Sequence, residues 1–102
     1  MSVEVGIQVW PDGARYEGHW ENGKATGLGK FTHVDGDIYD GEWQEDKACG
    51  HGVYLHNNGA RYEGEWLEDY QHGFGIEKWV DGSCYQGVYK EGKKHGNGKI
   101  YY

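Results

Sequence analysis

The chain repeats itself every 23 residues, and this period limits its fold more than any other feature. The segment Tyr16-Glu17-Gly18-His19-Trp20 returns as Tyr39-Asp40-Gly41-Glu42-Trp43 and Tyr62-Glu63-Gly64-Glu65-Trp66, and more loosely as Tyr85-Gln86-Gly87-Val88-Tyr89. A Gly-x-Gly element keeps the same spacing, at Gly27/Gly29, Gly50/Gly52, Gly73/Gly75 and Gly96/Gly98. A turn doublet does the same, as Asp12-Gly13, Asp35-Gly36, Asn58-Gly59 and Asp81-Gly82. Three motifs with one common period define a tandem repeat protein.

Each unit reads as a β-hairpin. Around Gly41, aromatic and acidic side chains alternate, and a period of two is typical of a strand with two different faces. The turn doublets favour hairpins, because a two-residue type I′ turn needs positive φ at both positions. No segment shows a helical period. The sequence therefore predicts an all-β fold, a β-meander of about nine short strands ~4.8 Å apart.

The repeat boundaries predict one array over residues 1–102. It comprises a partial unit (1–15), the repeats 16–38, 39–61 and 62–84, and a truncated final repeat (85–102). Both edge strands of such an array lack an obvious capping unit. Two interpretations stay open: the chain is part of a longer array, or its sheet edges pair between chains to form a homo-oligomer.

All 19 glycines fall at repeat positions, so their number reflects the architecture. A glycine inside a strand costs about 0.5–1 kcal/mol relative to alanine, and its recurrence needs a reason. We expect neighbouring aromatic rings to lie flat over the bare backbone, where a Cβ atom would push them away. The residues expected to serve the fold in this way are Tyr16, Gly18, Trp20, Gly41, Gly64, Tyr85, Gly87 and Tyr89.

The combined pattern resembles the MORN repeat family over about residues 6–102. It consists of Tyr-x-Gly-x-Trp, then Gly-Lys or a substitute, then His-Gly-x-Gly and Asp-Gly. The resemblance implies an elongated, twisted, single-layer antiparallel sheet built from one hairpin per repeat. It also implies non-enzymatic work: scaffolding, protein–protein contact and self-association at cytoskeletal, ciliary or membrane-adjacent structures. Two departures stand out in the last units. Tyr89 stands where the other units have tryptophan, and Glu77 interrupts a largely apolar column.

A single-layer sheet with this many rings predicts a protein-interaction module, because aromatic side chains dominate binding hot spots. We expect an aromatic groove that binds a partner peptide or helix. The predicted contact residues lie in the middle units: Tyr39, Trp43, Tyr54, Tyr62, Trp66 and Trp79. The alternative is weak phosphoinositide or anionic-membrane binding. Its densest basic group is Lys90, Lys93 and Lys94, fewer than the four to eight cations of polybasic lipid sites, so direct lipid binding is not expected.

The opposite face of the sheet carries carboxylates beside scattered lysines, a pattern typical of a solvated surface. Val53, Leu55 and Ile76 form an apolar interruption in its middle, which favours a small contact patch as the alternative. With 10 basic and 17 acidic side chains the net charge is −7, which excludes nucleic acid as a partner.

No catalytic residue, cofactor or metal site is predicted. Cys49, His72 and His95 share one repeat column, but positions two strands apart are separated by ~9.6 Å, whereas zinc holds ligands at about 2.0–2.3 Å. The Gly-x-Gly elements enter strands, so they lack the helix that a phosphate loop needs. The carboxylates form periodic ladders without one convergent pair. We therefore expect a protein that is not an enzyme.

The expected location is cytoplasmic. No run of 18 apolar residues is present, and residues 1–6 lack the basic and apolar segments of a signal peptide. Cys49 and Cys84 have no framework spacing, which fits free thiols in a reducing compartment.

Overall fold

The computed structural model describes residues 3–102, apart from the side chains of Val3 and Asn97. This part of the chain consists of nine strands. They are β1 (Val3–Val9), β2 (Arg15–Glu21), β3 (Lys24–Thr32), β4 (Ile38–Gln44), β5 (Lys47–Leu55), β6 (Arg61–Leu67), β7 (Tyr70–Lys78), β8 (Cys84–Lys90) and β9 (Lys93–Tyr101). Within these residues no helix has the length and apolarity needed to cross a membrane.

The nine strands form one open antiparallel sheet in chain order, so each strand pairs with the strand before and after it. The molecule measures 44 × 27 × 16 Å, as expected of a single layer that grows along one axis. In each repeat the glycine of the first strand lies opposite the second glycine of Gly-x-Gly, as Gly41 does opposite Gly52. The predicted all-β meander with one hairpin per repeat is confirmed.

A buried tyrosine in each repeat covers these glycines. Tyr16, Tyr39, Tyr62 and Tyr85 are between 0% and 5% exposed and are four of the nine buried apolar residues of the core. A Cβ atom on Gly52 would overlap the ring of Tyr39, whose hydroxyl donates to the carbonyl of Glu42 at 2.9 Å. The expected arrangement of rings over bare backbone is therefore present.

The type I′ turns lie elsewhere than predicted. In the doublet Asp12-Gly13 only the glycine has positive φ, and the loop is a three-residue turn in which Gly13 N–H donates to the Trp10 carbonyl. The Asp12 carboxylate accepts the N–H of Ala14, two residues further on, at 2.9 Å, and this bond forms an Asx turn. The prediction of type I′ turns at the doublets is therefore wrong. Positive φ at both positions occurs at Asn22-Gly23, Glu45-Asp46, Glu68-Asp69 and Glu91-Gly92.

The first glycine of each Gly-x-Gly lies in a β-bulge. The register shifts between Gly41 and Trp43, so one residue of β4 faces several residues of β5, and Gly50 has φ +62°. The Glu42 carboxylate accepts the backbone N–H of His51 in this bulge. Equivalent bonds run from Leu28 N–H to His19 and from Phe74 N–H to Glu65. Part of the acidic ladder thus has a structural role that the sequence pattern did not show.

Candidate functional site

One face of the sheet carries a groove of about 560 Å³, which we call the aromatic groove. Its lining comes from β1 to β6 and the adjoining turns. Its lining includes Trp10, Tyr16, Trp20, Ala25, His33, Tyr39, Trp43, Asp46, Ala48, Tyr54, Trp66 and Asp69. The period-two alternation of the strands places the strand residues among them on one face, and Trp10, His33, Asp46 and Asp69 come from the turns.

Packing against the buried tyrosines fixes the tryptophans of the groove. The ring of Tyr39 meets Trp43 at 5.0 Å and the next unit's Trp66 at 5.1 Å, both edge-to-face. Trp43 Nε1 donates to the Gly29 carbonyl at 3.0 Å, and Trp66 Nε1 donates to the Gly52 carbonyl at 3.1 Å. Each ring is therefore held in one orientation and leaves part of its surface to solvent.

The six predicted contact residues divide into two groups. Tyr39 and Tyr62 are 3% and 0% exposed, so their rings belong to the core. The other four, Trp43, Tyr54, Trp66 and Trp79, are partly exposed. Tyr39, Trp43, Tyr54 and Trp66 line the aromatic groove. Trp79 packs instead with Tyr62, Tyr85 and Tyr89 at the far end of the sheet.

One repeat column sets the depth of the groove: Ala25, Ala48, Gln71 and Lys94. The two alanines are 4% and 5% exposed and form the floor. At Gln71 only a depression of about 160 Å³ remains. Sequence reasoning missed this column because it changes from unit to unit, although the change from alanine to longer polar residues was the signal for it.

In the last unit Lys94 covers the face of the sheet that the alanines leave open in the earlier units. Its Nζ is 5.3 Å from the ring centroid of Trp79, 5.1 Å from that of Tyr85 and 5.9 Å from that of Tyr89. The same Nζ lies 3.7 Å from Glu77 Oε1, and the Tyr89 hydroxyl donates to that oxygen at 2.7 Å. The two departures from the repeat pattern, Glu77 and Tyr89, therefore form one cluster with this lysine.

Aspartates occupy one side of the groove. Asp46 Oδ1 accepts the Ala25 N–H and Asp69 Oδ1 accepts the Ala48 N–H, each at 2.7 Å. The N–H of each aspartate in turn donates to the carbonyl of the same alanine at 3.0 Å. Successive units are thus linked through their turns, and each link places a carboxylate beside a floor alanine.

These carboxylates make the groove electronegative. Burial raises the pKa of the Tyr16 hydroxyl, and the charge of Asp46 raises that pKa further. Burial also raises the pKa of Tyr39 far above its ordinary value, with smaller contributions from surrounding groups that include Asp69. A negative charge disfavours a second negative charge nearby, so the smaller contributions of Asp46 and Asp69 to these pKa values reflect the negative charge that the two aspartates bring to the groove.

A hydrogen-bonded group lies on the other side of the groove. The Tyr54 hydroxyl donates to Asp37 Oδ2 at 2.8 Å, and the Asn57 N–H donates to Asp37 Oδ1 at 2.7 Å. His56 Nδ1 lies 3.8 Å from the same carboxylate. Both bonds lower the pKa of the Asp37 carboxyl, and the bond from the Tyr54 hydroxyl has the larger effect. This side of the groove is therefore ordered by side-chain bonds.

Within residues 3–102 no group of three or more His, Cys, Asp or Glu side chains is placed to hold a metal ion. Burial raises the pKa of the Cys49 thiol, and the charge of Glu42 raises it further. A raised pKa lowers the thiolate fraction that nucleophilic chemistry needs.

Together these features define a class of protein: an open, single-layer sheet of tandem β-hairpins with an aromatic groove on one face. The chain belongs to the MORN repeat family, since the family's sequence model, the MORN repeat, matches residues 16–38, 39–61, 62–84 and 85–102. The resemblance seen in the sequence is confirmed. MORN repeats are in general non-catalytic modules for interaction with proteins or membranes. A comparison with curated proteins found no match.

Proposed function

We propose that this chain is a non-enzymatic protein-interaction and scaffolding module whose aromatic groove binds a peptide or helix of a partner protein. The observation that carries the proposal is the groove itself, about 560 Å³ lined by rings from successive units. Partly exposed tryptophan and tyrosine rings are the side chains that most often anchor a bound protein segment.

The burial of each ring assigns its part in this function. Trp43, Tyr54 and Trp66 have exposed surface in the groove and contact the partner directly. Tyr39 packs between two of these tryptophans and keeps them in place, and the fully buried Tyr62 has the same role one unit further on. Trp79 extends the contact surface towards the last unit.

A protein ligand is favoured over the alternative of an anionic membrane. Lys94, one of the three lysines in the densest basic group, is held by Glu77 and three rings. Lys90 and Lys93 then remain, short of the four to eight cations of a polybasic lipid site. We propose a cytoplasmic setting, which the free thiols of Cys49 and Cys84 support. A place at cytoskeletal, ciliary or membrane-adjacent structures is supported by the family resemblance alone.

The outer face of β1 favours self-association as a second proposal. Val5, Ile7 and Val9 share one face of this strand and are 78%, 62% and 63% exposed. Within residues 3–102, β1 and β9 each pair on one side only. Apolar edge strands are templates for pairing with another chain. Light scattering over a concentration series tests this proposal: mass should rise with concentration, and a constant monomer mass would contradict it.

Selection from a displayed library of random peptides tests the groove. We expect enrichment of peptides about 16 residues long, ~24 Å as a helix, that bind the wild type and lose affinity for Ala48→Gln. This variant fills the floor with the residue that the fold already accepts at Gln71. It leaves every ring of the groove in place, so an effect on binding cannot come from a lost tryptophan.

The matched control is Phe74→Ala, which changes a 53% exposed ring on the opposite face. Circular dichroism and thermal unfolding should show that both variants keep the wild-type fold. Selected peptides that bind Ala48→Gln as tightly as the wild type would contradict the groove proposal. Peptides that lose affinity for Phe74→Ala would instead place the binding surface on the opposite face.

A further inference from the structure

We infer that the aromatic groove recognises its partner through cationic side chains, with a lysine or arginine of the bound protein segment seated over the rings beside each floor alanine. This inference rests on the function proposed above and specifies the chemistry of the partner. Lys94 occupies one such position, which we call a seat: the space beside the rings of Trp79, Tyr85 and Tyr89 and the carboxylate of Glu77. Its ammonium lies 5.1–5.9 Å from three ring centroids and 3.7 Å from a carboxylate oxygen. Both distances suit attraction of a cation, to the ring faces and to the carboxylate.

The repeat contains two copies of this seat without a lysine of their own. Subtracting two periods from Lys94 gives Ala48, and from its rings gives His33, Tyr39 and Trp43. Subtracting three periods gives Ala25, with Trp10, Tyr16 and Trp20. All eight residues line the aromatic groove.

The strand register shows that these positions are equivalent. Lys94 lies opposite Tyr89, Ala48 lies opposite Trp43 and Ala25 lies opposite Trp20. At the two alanine seats the residue opposite is tryptophan, the ring that attracts cations most strongly. The alanine methyl leaves open the space that the Lys94 side chain fills in the last unit.

Each alanine seat has its own carboxylate. In the last unit Glu77 supplies the negative charge, but the equivalent residues in the alanine units are Phe31 and Gln8. There Asp69 and Asp46 line the groove instead, each bonded to the backbone of its alanine. With a net charge of −7, the chain as a whole also attracts a basic segment and repels an acidic one.

The spacing of the seats specifies the partner segment further. Equivalent positions two strands apart are separated by ~9.6 Å. Residues three apart in a polyproline II segment lie about 9.3 Å apart on one side, and residues seven apart in a helix lie about 10.5 Å apart. We therefore expect basic residues at i and i+3 in an extended ligand, or at i and i+7 in a helical one.

The library selection described above tests this inference and separates it from the proposed function. Enriched peptides should carry lysine or arginine at one of these spacings, and replacing both by glutamine should weaken binding about tenfold. Groove-dependent peptides that are neutral or acidic would overturn the cationic seat and leave the proposed function standing. A library that yields no groove-dependent peptide would overturn both.

The double variant Asp46→Asn/Asp69→Asn tests the carboxylates without removing the turn. Asparagine keeps the acceptor oxygen and tolerates the positive φ of these positions, so the fold should survive. We expect binding of the selected basic peptide to weaken about tenfold at ~0.05 M salt, and less at higher salt. The control is Asp40→Asn/Glu63→Gln, which makes the same change in net charge on the opposite face. Equal losses in the two variants would overturn the role of the seats.

Discussion

The glycine columns make a sharp prediction about stability, because two glycines at the same repeat position have different surroundings. A Cβ atom on Gly52 would lie within 2.5 Å of two ring carbons of Tyr39. That ring cannot move away, since it is buried between Trp43 and Trp66. A Cβ atom on Gly6 would have its nearest contact at 3.5 Å, because no described tyrosine covers that glycine.

Gly52→Ala and Gly6→Ala therefore differ in the tyrosine ring, which covers Gly52 alone, and in sheet position, since Gly6 lies in the edge strand β1 and Gly52 in the inner strand β5. Neither glycine has a φ in the left-handed region, so alanine reduces the entropy of the unfolded chain similarly at both sites. Overpacking a core costs about 1–3 kcal/mol, so we expect Gly52→Ala to lower the free energy of unfolding by about 2 kcal/mol relative to Gly6→Ala. With a urea m value of about 1 kcal/mol/M for so small a protein, the midpoints should differ by about 2 M.

Urea unfolding followed by tryptophan fluorescence measures both midpoints, and equal m values show that the two variants unfold comparably. Gly6→Ala should unfold at or slightly above the wild-type midpoint. If Gly52→Ala matched Gly6→Ala, the tyrosine ring would not require bare backbone beneath it. The packing explanation of the glycine columns would then be refuted.

The cluster of Glu77 and Tyr89, the buried Tyr62 and the bonded Asp37 can each be tested by substitution. Glu77→Tyr and Tyr89→Trp should each lower the free energy of unfolding. The double variant restores the tyrosine and tryptophan that the preceding unit has at these positions, Tyr54 and Trp66. A double-mutant cycle should therefore show a coupling energy of about 1 kcal/mol between the two substitutions. Burial raises the pKa of Tyr62, so the folded protein resists ionisation of this hydroxyl and stability should fall as pH rises above about 10. Urea unfolding at several pH values should show a smaller loss of stability for Tyr62→Phe than for the wild type. The bond from Tyr54 lowers the pKa of Asp37 in the folded protein. The ionised Asp37 carboxylate therefore stabilises the fold above about pH 4, and this stabilisation is lost as the pH falls through the pKa of the folded state. In Asp37→Asn the melting temperature should therefore depend less on pH below pH 4 than in the wild type.

Much of the fold could be predicted because its signals are local and repeated. The alternation around Gly41 gives a strand, and the 23-residue period multiplies that strand into a meander. Turn type was less accessible. Asp12-Gly13 resembles a type I′ pair, but a bond from the Ala14 N–H to the aspartate selects another turn. Glu45-Asp46 forms the type I′ turn although it contains no glycine, because the strands on both sides determine its geometry.

The groove was harder to predict than the sheet. Sequence periodicity places Tyr39 and Trp43 on one face, but it does not show which ring lies beneath the other. Burial separates them, since Tyr39 is 3% exposed and Trp43, which packs against it, is partly exposed. Lys94 shows the same limit. Its position over three rings depends on contacts between residues of neighbouring units, which periodicity does not show. From the sequence alone, Lys94 is one member of a basic group.

The central claim is that a protein segment binds in the aromatic groove, and its most direct test is an NMR titration with a selected basic peptide. The indole N–H signals of Trp20, Trp43 and Trp66 should shift on binding, because these rings line the groove. Backbone signals of Leu28 and Phe74, exposed on the opposite face, should stay in place. Shifts confined to the opposite face, or saturating binding that leaves the three indole signals unchanged, would contradict the account.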